Sequence, residues 1–314
     1  MSFTVVPLHN LDLPRGTCIP FGNGFVLQDT PGWIKVDKGT LADINRNDRN
    51  LVLDGKHALV AEYEAPSMGH PDPAWKGAKP KSIQELKFQS AMLASLAIWL
   101  RQPSIVCFTV CFHALSQIDC RSLDSPVIVC TRSHDALQCH PWDGYNPVTL
   151  NHIVKAGQLH ATLSTIPRRN PVWQALRSFW AALTSYPADH RYPLFWMGLE
   201  SLFGSDNKNW KVTKRLCDRM SLFLGESADA QQSLFAKVEA CYNTRSEMIH
   251  GRWEDDPNID QTMADTEAIV RTVVRHLLEK PGMLETFISA DRDSFLEKMV
   301  ARHRKESARP RKAL

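Results

Sequence analysis

The feature that most constrains the fold is a succession of helical segments in the second half of the chain. Past Pro147, apolar residues recur every three or four positions, which is the spacing of the buried face of an amphipathic helix. Gly225 can end one helix, and Ser227 can cap the next. Because the connections are short, neighbouring helices are expected to run antiparallel, as in a bundle. The segments span about residues 148–165, 171–185, 190–203, 209–224, 228–250 and 260–280.

The first part of the chain has a different pattern, in which turn-rich stretches separate short apolar segments. Residues 105–114 and 127–131 have the composition of strands. One long helix is predicted from about residue 82 to residue 100, and Pro103 follows its end. This mixture indicates an α+β domain. The whole chain is therefore expected to be mainly α, with a helical bundle that follows a smaller α+β domain.

The predicted domain boundary lies just before the first helix of the bundle. Residues 1–147 form the α+β domain, and residues 148–300 form the bundle. Residues 301–314 carry six basic side chains around Pro310, which is typical of a disordered tail. A solvated tail is the commoner explanation, and non-specific contacts with RNA phosphates are the alternative. We expect the N-terminal domain to have a sensing or regulatory role, through a partner or ligand that none of its residues identifies.

The composition is that of an ordinary soluble chain, with 43% hydrophobic and 23% charged residues and a formal net charge of +3. No apolar run reaches the roughly 20 residues that span a bilayer, and the N-terminus lacks the basic and apolar regions of a signal peptide. We therefore expect a cytoplasmic protein without membrane contact. The N-terminal part contains neither a Walker loop nor a dinucleotide-binding fingerprint.

The eight cysteines lie mostly within apolar segments and form no CxxC pair, which favours reduced, buried thiols over disulfides. Cys107, Cys111 and His113 are close together in the sequence, but the run that contains them has the pattern of one buried strand. Free cysteine commonly packs as a small core residue. We therefore expect no metal site here, and nothing else in the sequence indicates a cofactor.

Residues 241–251 carry the strongest functional signal. Arg245 lies on the apolar stripe of the predicted helix, where a guanidinium is unfavourable unless a carboxylate, a phosphate or carbonyl groups accept its hydrogen bonds. His250 lies about 140° further round an ideal helix, so one regular helix does not direct both side chains to one spot. Gly251 can end the helix in a left-handed conformation that frees the side chain of the capping residue. Such an arginine and histidine suit phosphate chemistry.

The same Arg-x-x-x-x-His spacing occurs a second time, at Arg271 and His276. There the helix continues as far as Lys280, so we interpret His276 as a surface or packing residue. Spacing alone is weak evidence, because short motifs also arise by chance. A structural interpretation of the first pair therefore stays open, in which a core carboxylate holds Arg245 and His250 merely caps the helix.

Three blocks of sequence, in the same order, resemble the HEPN superfamily and, within it, the Apea-like HEPN domains. They are LFWMGLESLF at 194–203, KRLCDRMSLFLG at 214–225 and YNTRSEMIHG at 242–251. The resemblance spans roughly residues 171–280 and implies a small helical bundle with an R-x4-6-H signature. It also implies a metal-independent RNA endonuclease whose active site assembles across a homodimer. On this basis Arg245 and His250 are the expected catalytic residues.

Three further residues complete the expected site. Glu200 is the one charge in the apolar segment 194–203, so it requires a partner, and we predict hydrogen bonds from Arg245, Arg215 or Arg219. Asn243 and Ser246 lie beside the motif arginine and are taken as supporting residues. Ser246 departs from the family pattern, because active members often carry Asn, Asp or His after the arginine.

The expected mechanism uses RNA as the source of its own nucleophile. A neutral His250 would remove the proton of the ribose 2′-OH, and Arg245 would bind the phosphate and stabilise the charge of the transition state. The products would carry a 2′,3′-cyclic phosphate and a 5′-OH. A second subunit related by two-fold symmetry would supply another histidine as the acid for the leaving oxygen.

Two other interpretations remain. One is a non-catalytic HEPN module that serves as an interaction or nucleotide-binding scaffold, for which Ser246 is the main argument. The other concerns biological role: Apea-like domains suggest an inhibitor-gated toxin in cell or phage defence, which is compatible with ribonuclease activity. The scaffold would have Arg245 and His250 fully buried in intramolecular contacts, whereas the nuclease requires them to be exposed.

Overall fold

The structure is a computed structural model of a mainly helical protein with a small antiparallel sheet near its N-terminus. The chain divides into two compact units, Met1–Arg168 and Arg169–Leu314. The residues that the structure describes are 2–29, 55–63, 83–104, 106, 108, 110–114, 129–130, 147–185, 188–204, 212–252, 258–280 and 282–307.

The first unit contains an antiparallel sheet with the strand order β2-β3-β4-β1-β5-β6. In β1, Val5 lies opposite Val60 of β4 on one side and Phe112 of β5 on the other. Between β2 and β3, Asn23 and Gly24 have φ angles of 48° and 76°. Such angles are typical of a two-residue type I′ hairpin turn. The strands are β1 (Ser2–Leu8), β2 (Cys18–Gly22), β3 (Phe25–Asp29), β4 (His57–Tyr63), β5 (Val110–Ala114) and β6 (Val129–Cys130).

The sequence predictions for this unit are confirmed in part, because residues 106 and 108 of the predicted strand at 105–114 are described and lie outside any strand. Helix α1 (Ile83–Arg101) matches the long predicted helix, and β5 and β6 fall within the two predicted strand segments. The combination of a sheet with helices makes the first unit α+β, as expected. Residues 105, 107, 109, 127, 128 and 131 of the predicted strands lie outside the described residues.

Helix α2 (Leu150–Ser164) corrects the predicted domain boundary. The sequence assigned this helix to the bundle, but it belongs to the first unit, where it packs on α1 and β2. Gly157 permits the close approach, since a Cβ there would lie 3.0 Å from the Cα of Phe21. The buried His160 ring is within hydrogen-bond distance of the Phe21 and Ser90 carbonyl oxygens, at 3.2 and 3.1 Å. The boundary therefore follows Arg168.

The second unit is helical throughout its described residues. Five of its helices match the segments predicted from 171 to 280, with ends that differ by a few residues. The helices are α3 (Pro171–Leu183), α4 (Ala188–Phe203), α5 (Val212–Leu224), α6 (Ala228–Ile249), α7 (Ile259–Glu279), α8 (Met283–Ile288) and α9 (Arg292–Ser307).

Helix α9 overturns part of the predicted disordered tail. Residues 301–307, assigned to the tail, are helical, whereas residues 308–314 lie outside the described part of the chain. Two observations explain the helix. Leu296 and Val300 are buried, and Glu297 forms an ion pair at 2.7 Å with Arg219, a fully buried residue of α5. Long-range contacts of this kind leave little trace in the local sequence.

Gly198 sets how closely α3 and α4 approach each other. An added Cβ at Gly198 would lie 2.2 Å from Cε1 of Phe179, whose ring is fully buried. We expect Gly198→Ala to lower the free energy of unfolding by about 1 to 3 kcal/mol, because overpacking displaces the ring. Urea denaturation followed by circular dichroism measures this change.

The control combines Gly198→Ala with Phe179→Leu, which shortens the side chain that the new methyl group meets. The double variant should lose less unfolding free energy than the sum of the two single losses, because Phe179→Leu removes the ring atoms that the new methyl group would meet. Helix propensity alone would favour alanine over glycine by about 1 kcal/mol. A gain in stability from Gly198→Ala would therefore mean that the added methyl group meets no tight contact, which would contradict the proposed packing.

Candidate functional site

Helix α6 ends in the way that the motif sequence predicts. His250 is the C-terminal capping residue, and Gly251 follows with a φ of 68°. The N–H of Gly251 donates to the Met248 carbonyl at 3.0 Å, and the N–H of Arg252 donates to the Glu247 carbonyl at 2.9 Å. This pair of bonds is a Schellman motif. It ends the helix with backbone contacts alone, so the imidazole of His250 takes no part in the cap.

Arg245 lies on the stripe of α6 that the sequence predicted to face the core. Val238, Cys241 and Met248 on this stripe are buried, whereas 24% of the Arg245 side chain is exposed. Its Nη2 atom lies 3.2 Å from Oε1 of Glu200, which is on α4. The predicted pairing of these two residues is therefore confirmed. The Nε atom of Arg245 is buried and has no hydrogen-bond partner among the described residues.

Tyr242 joins this pair from the same face of α6. Its hydroxyl donates to Oε1 of Glu200 at 2.9 Å, and the Arg245 guanidinium carbon lies 5.4 Å from the centre of its ring. Burial raises the pKa of Tyr242 to about 12, and the negative charge of Glu200 adds to the rise. The hydroxyl therefore stays protonated near neutral pH and can donate continuously. Three interacting side chains thus fix the carboxylate and orient the guanidinium.

Arg219, one of the predicted alternatives for pairing with Glu200, has a different role. Its side chain is fully buried and donates to the carbonyl oxygens of Phe203 and Gly204, at 2.7 and 2.8 Å. It also donates to Glu297 at 2.7 Å. Since these carbonyls lie at the end of α4, Arg219 caps that helix. The alternative of an Arg219–Glu200 pair is therefore wrong.

A cleft of about 700 Å³ opens beside the Arg245–Glu200 pair. Among the described residues that line it, three are arginines, Arg215, Arg245 and Arg292, and one, Glu200, is a carboxylate. The cleft is therefore cationic, as expected of a surface that binds anions. The remaining lining residues are Pro171, Gln174, Met197, Ser201, Phe203, Gly204, Val212, Leu216 and Tyr242.

The other predicted site residues lie outside the cleft lining. His250 and Asn243 are exposed, and Ser246 is half-buried. Among the described residues, none of these three side chains has a hydrogen-bond or ion-pair partner. A single chain thus brings Arg245 and Glu200 together but leaves His250 at the free end of α6. This arrangement agrees with the expectation that one regular helix does not direct the arginine and the histidine to one spot.

The second Arg-x-x-x-x-His pair behaves as the packing interpretation predicted. The His276 ring lies against Phe223, with the ring centres 4.6 Å apart. Burial lowers the pKa of His276, and the charge of Lys280 lowers it further. The imidazole is therefore a largely neutral packing group. His276 is confirmed as a structural residue.

Sequence reasoning missed two members of this surface. Tyr242 was part of the third sequence block, and its spacing of three from Arg245 was a usable signal, since helical residues three apart lie on one face. Arg292 gave no signal, because it begins a helix that the sequence did not predict. Its guanidinium donates to the Ser201 carbonyl and to Asp293.

The described residues also bear on metals, cysteines and membranes. Within the described ranges, no group of three or more His, Cys, Asp or Glu side chains is arranged to hold a metal ion. Of the residues considered for a metal site from the sequence, Cys107 lies outside those ranges, and Cys111 is a buried free thiol. None of the described helices combines the length and apolar character that a membrane span requires.

Comparisons with protein-family models, with curated proteins and with solved structures found no match to this chain. The HEPN resemblance therefore stays a prediction that depends on the three sequence blocks.

Proposed function

We propose that this protein is a metal-independent RNA endonuclease of the HEPN type, with an active site formed across a homodimer. The observation that carries the proposal is the end of α6. Arg245 lines a cationic cleft, and five positions later His250 is exposed without a described side-chain partner. General acid–base cleavage of RNA requires an accessible imidazole and a cation for the phosphate, and in this proposal the dimer brings the two to one phosphodiester.

In this proposal, His250 and Arg245 act on one phosphodiester. His250 removes the proton of the ribose 2′-OH, and the resulting oxygen attacks the adjacent phosphorus as the bond to the 5′-oxygen breaks. Arg245 stabilises the charge that develops on the phosphate oxygens. The same histidine of a second subunit donates a proton to the leaving oxygen, which is why a homodimer is part of the proposal.

Glu200 is a positioning residue in this scheme. It engages Nη2 of Arg245 and leaves Nη1 without a partner among the described residues. A guanidinium can bind a phosphate with two parallel hydrogen bonds when its plane is fixed. Glu200 and Tyr242 supply that fixation. The polar neighbours Asn243 and Ser246 remain proposed supporting residues.

A second candidate function is a non-catalytic HEPN scaffold. The ion pair between Arg245 and Glu200 favours it, because that contact engages the motif arginine within its own chain. His250 argues the other way, since it is exposed. A role as a toxin or defence effector depends on the family resemblance alone and is compatible with the proposed chemistry.

The test is cleavage of labelled tRNA and unstructured RNA by the purified protein in EDTA. We expect products that carry 2′,3′-cyclic phosphate and 5′-OH ends, because the attacking oxygen comes from the RNA itself. A 2′-O-methyl RNA of the same sequence is the matched control and should stay intact. Mass spectrometry of the fragments identifies the ends.

Three other results would change the conclusion. Fragments with 5′-phosphate ends would exclude attack by the 2′-OH. A protein that is monomeric at micromolar concentration and still cleaves would exclude an active site shared between subunits. Intact RNA after incubation with the dimeric wild type would favour the scaffold.

A further inference from the structure

The cleft contains more cationic groups than the R-x4-6-H motif accounts for. Arg215 of α5 lines it beside Arg245 of α6 and Arg292 of α9. Arg245 is engaged by Glu200, and Arg292 by a backbone carbonyl and a neighbouring carboxylate. Arg215, in contrast, makes no hydrogen bond or ion pair with any described residue. Its guanidinium is therefore the cleft cation with the most unused donors.

Apolar groups form another part of the same cleft. The side chains of Met197 and Val212 line it, and these residues are 47% and 49% exposed. Large hydrophobic residues at that exposure are few among the described residues; the others are Leu150, Val154 and Ile249. Exposed apolar groups beside cations are typical of a site for a ligand that has both an anionic and an apolar part.

The size of the cleft agrees with such a ligand. At about 700 Å³, it lies within the range of roughly 300 to 1,000 Å³ that is common for small-molecule sites. A nucleotide has the required parts, since its phosphate suits a guanidinium and its base has an apolar face. Only a ligand with both parts can contact the arginines and the apolar residues at the same time.

We propose that this cleft is a nucleotide-binding subsite. Arg215 binds a phosphate together with Arg245, and Met197 and Val212 contact the face of the adjoining base. As a subsite for RNA next to the cleaved bond, it rests on the proposed function. Contact with the face of a base is independent of the base's identity, so the subsite has little sequence preference.

Arg215 is a substrate-binding residue in this proposal, because it contacts the phosphate directly. A bidentate contact between guanidinium and phosphate contributes affinity and also a salt dependence, since each phosphate contact releases counterions. A structural arginine would change stability without changing the salt dependence of binding. The salt dependence therefore separates the two roles.

The test is the binding of a fluorescent 2′-O-methyl RNA oligonucleotide, which resists 2′-OH attack, measured by fluorescence anisotropy at several salt concentrations. We expect Arg215→Gln to weaken binding by about 10-fold to 100-fold and to lower the slope of log Kd against log salt by about one. Arg177→Gln is the matched control, because Arg177 is an exposed arginine of the same unit, on α3 and outside the cleft lining. It should change neither quantity by a comparable amount.

Changes to the apolar part provide a second test that does not depend on Arg215. Met197→Ser should weaken binding by about 3-fold to 10-fold without a change in the salt slope, because it removes only apolar contact. Both variants are compared with the wild type by thermal unfolding. Arg215→Gln and Arg177→Gln with equal affinities and equal salt slopes would overturn the proposal.

The source of the nucleotide is distinguished by competition. Adenosine monophosphate and ribose 5-phosphate compete with the labelled RNA, and the former should displace it more strongly because it has a base. Displacement by micromolar adenosine monophosphate that also requires Arg215 would assign the cleft to free nucleotides. Displacement only at millimolar concentration would assign it to RNA. Equal displacement by the two competitors would contradict the role of Met197 and Val212.

Failure of the subsite and failure of the proposed nuclease give different results. If the wild type does not cleave RNA but binding depends on Arg215, the nuclease proposal fails and the subsite stands. If the wild type cleaves and Arg215→Gln retains the wild-type KM, the subsite fails and the nuclease stands.

Discussion

His250→Ala should lower the rate of RNA cleavage by at least about 100-fold, because a general base typically contributes 10² to 10⁴ in rate. The melting temperature should stay unchanged. The His250 side chain is exposed and makes no hydrogen bond or ion pair with a described side chain, and backbone hydrogen bonds alone complete the cap of α6. Initial rates on labelled RNA and differential scanning calorimetry measure the two quantities.

The chain offers a matched control for this variant in its second Arg-x-x-x-x-His pair. His276→Ala removes an imidazole that packs against Phe223, so it should destabilise the protein by about 0.5 to 1.5 kcal/mol. Cleavage below the melting temperature should stay at the wild-type rate. His250→Ala is thus expected to lower activity without changing stability, and His276→Ala to lower stability without changing activity.

Equal losses of activity in His250→Ala and His276→Ala would show that the assay reports general damage and not catalysis. Wild-type cleavage by His250→Ala would remove the general base from the proposal. A wild-type melting temperature for His276→Ala would contradict the packing role of His276. Each result therefore addresses one residue.

The helices of the second unit could be predicted because their signals are local. Apolar spacing within α3 and α6 marks their buried faces, and Ser227 caps α6 by accepting a hydrogen bond from the backbone N–H of Ala230. Gly251 ends α6 for an equally local reason, its left-handed conformation. Such signals require only residues that are near one another in the sequence.

The unit to which a helix belongs could not be predicted in the same way. Helix α2 has an apolar stripe that would suit either unit, and its place is fixed by the approach of Gly157 to Phe21, far away in the sequence. Helix α9 depends on Glu297, whose partner Arg219 belongs to α5. In both cases the deciding contact joins distant segments.

The candidate site shows the same limit. That Glu200 needs a cationic partner could be predicted, since a lone charge in an apolar helix requires compensation, but the sequence left Arg245 as one of three candidates. The cleft could not, because it depends on how α4, α5, α6 and α9 assemble. Arg292 in particular comes from a helix that the sequence did not indicate.

Glu267→Gln should lower the free energy of unfolding of the second unit by about 3 kcal/mol. Glu267 of α7 forms an ion pair with Arg191 of α4, and the two residues are only 4% and 3% exposed. The substitution keeps the shape but removes the carboxylate charge of a buried ion pair, and breaking such a pair from one side typically costs about 3 to 5 kcal/mol. Urea denaturation followed by circular dichroism at 222 nm measures the loss.

A more exposed ion pair, between Asp265 of α7 and Lys237 of α6, is the matched control. Asp265 pairs with Lys237 at 2.8 Å, but their side chains are 26% and 45% exposed. Asp265→Asn should therefore lower the stability by less than about 1 kcal/mol, because solvent screens the charges and the freed lysine is readily hydrated. Equal losses from Asp265→Asn and Glu267→Gln would contradict the claim that burial decides the effect.

The double variant Arg191→Met with Glu267→Leu tests whether the ion pair contributes net stability or mainly selects one packing of α4 on α7. Replacing both charges with apolar side chains removes the desolvation of two ions, and because each residue has a further interaction besides this pair, the double variant should recover only part of the stability that Glu267→Gln loses. Such a recovery would mean that the pair contributes less net stability than the single variant suggests, and that it penalises packing of α4 on α7 that separates the two charges. Loss in the double variant as large as in Glu267→Gln would instead mean that the ion pair itself stabilises the bundle.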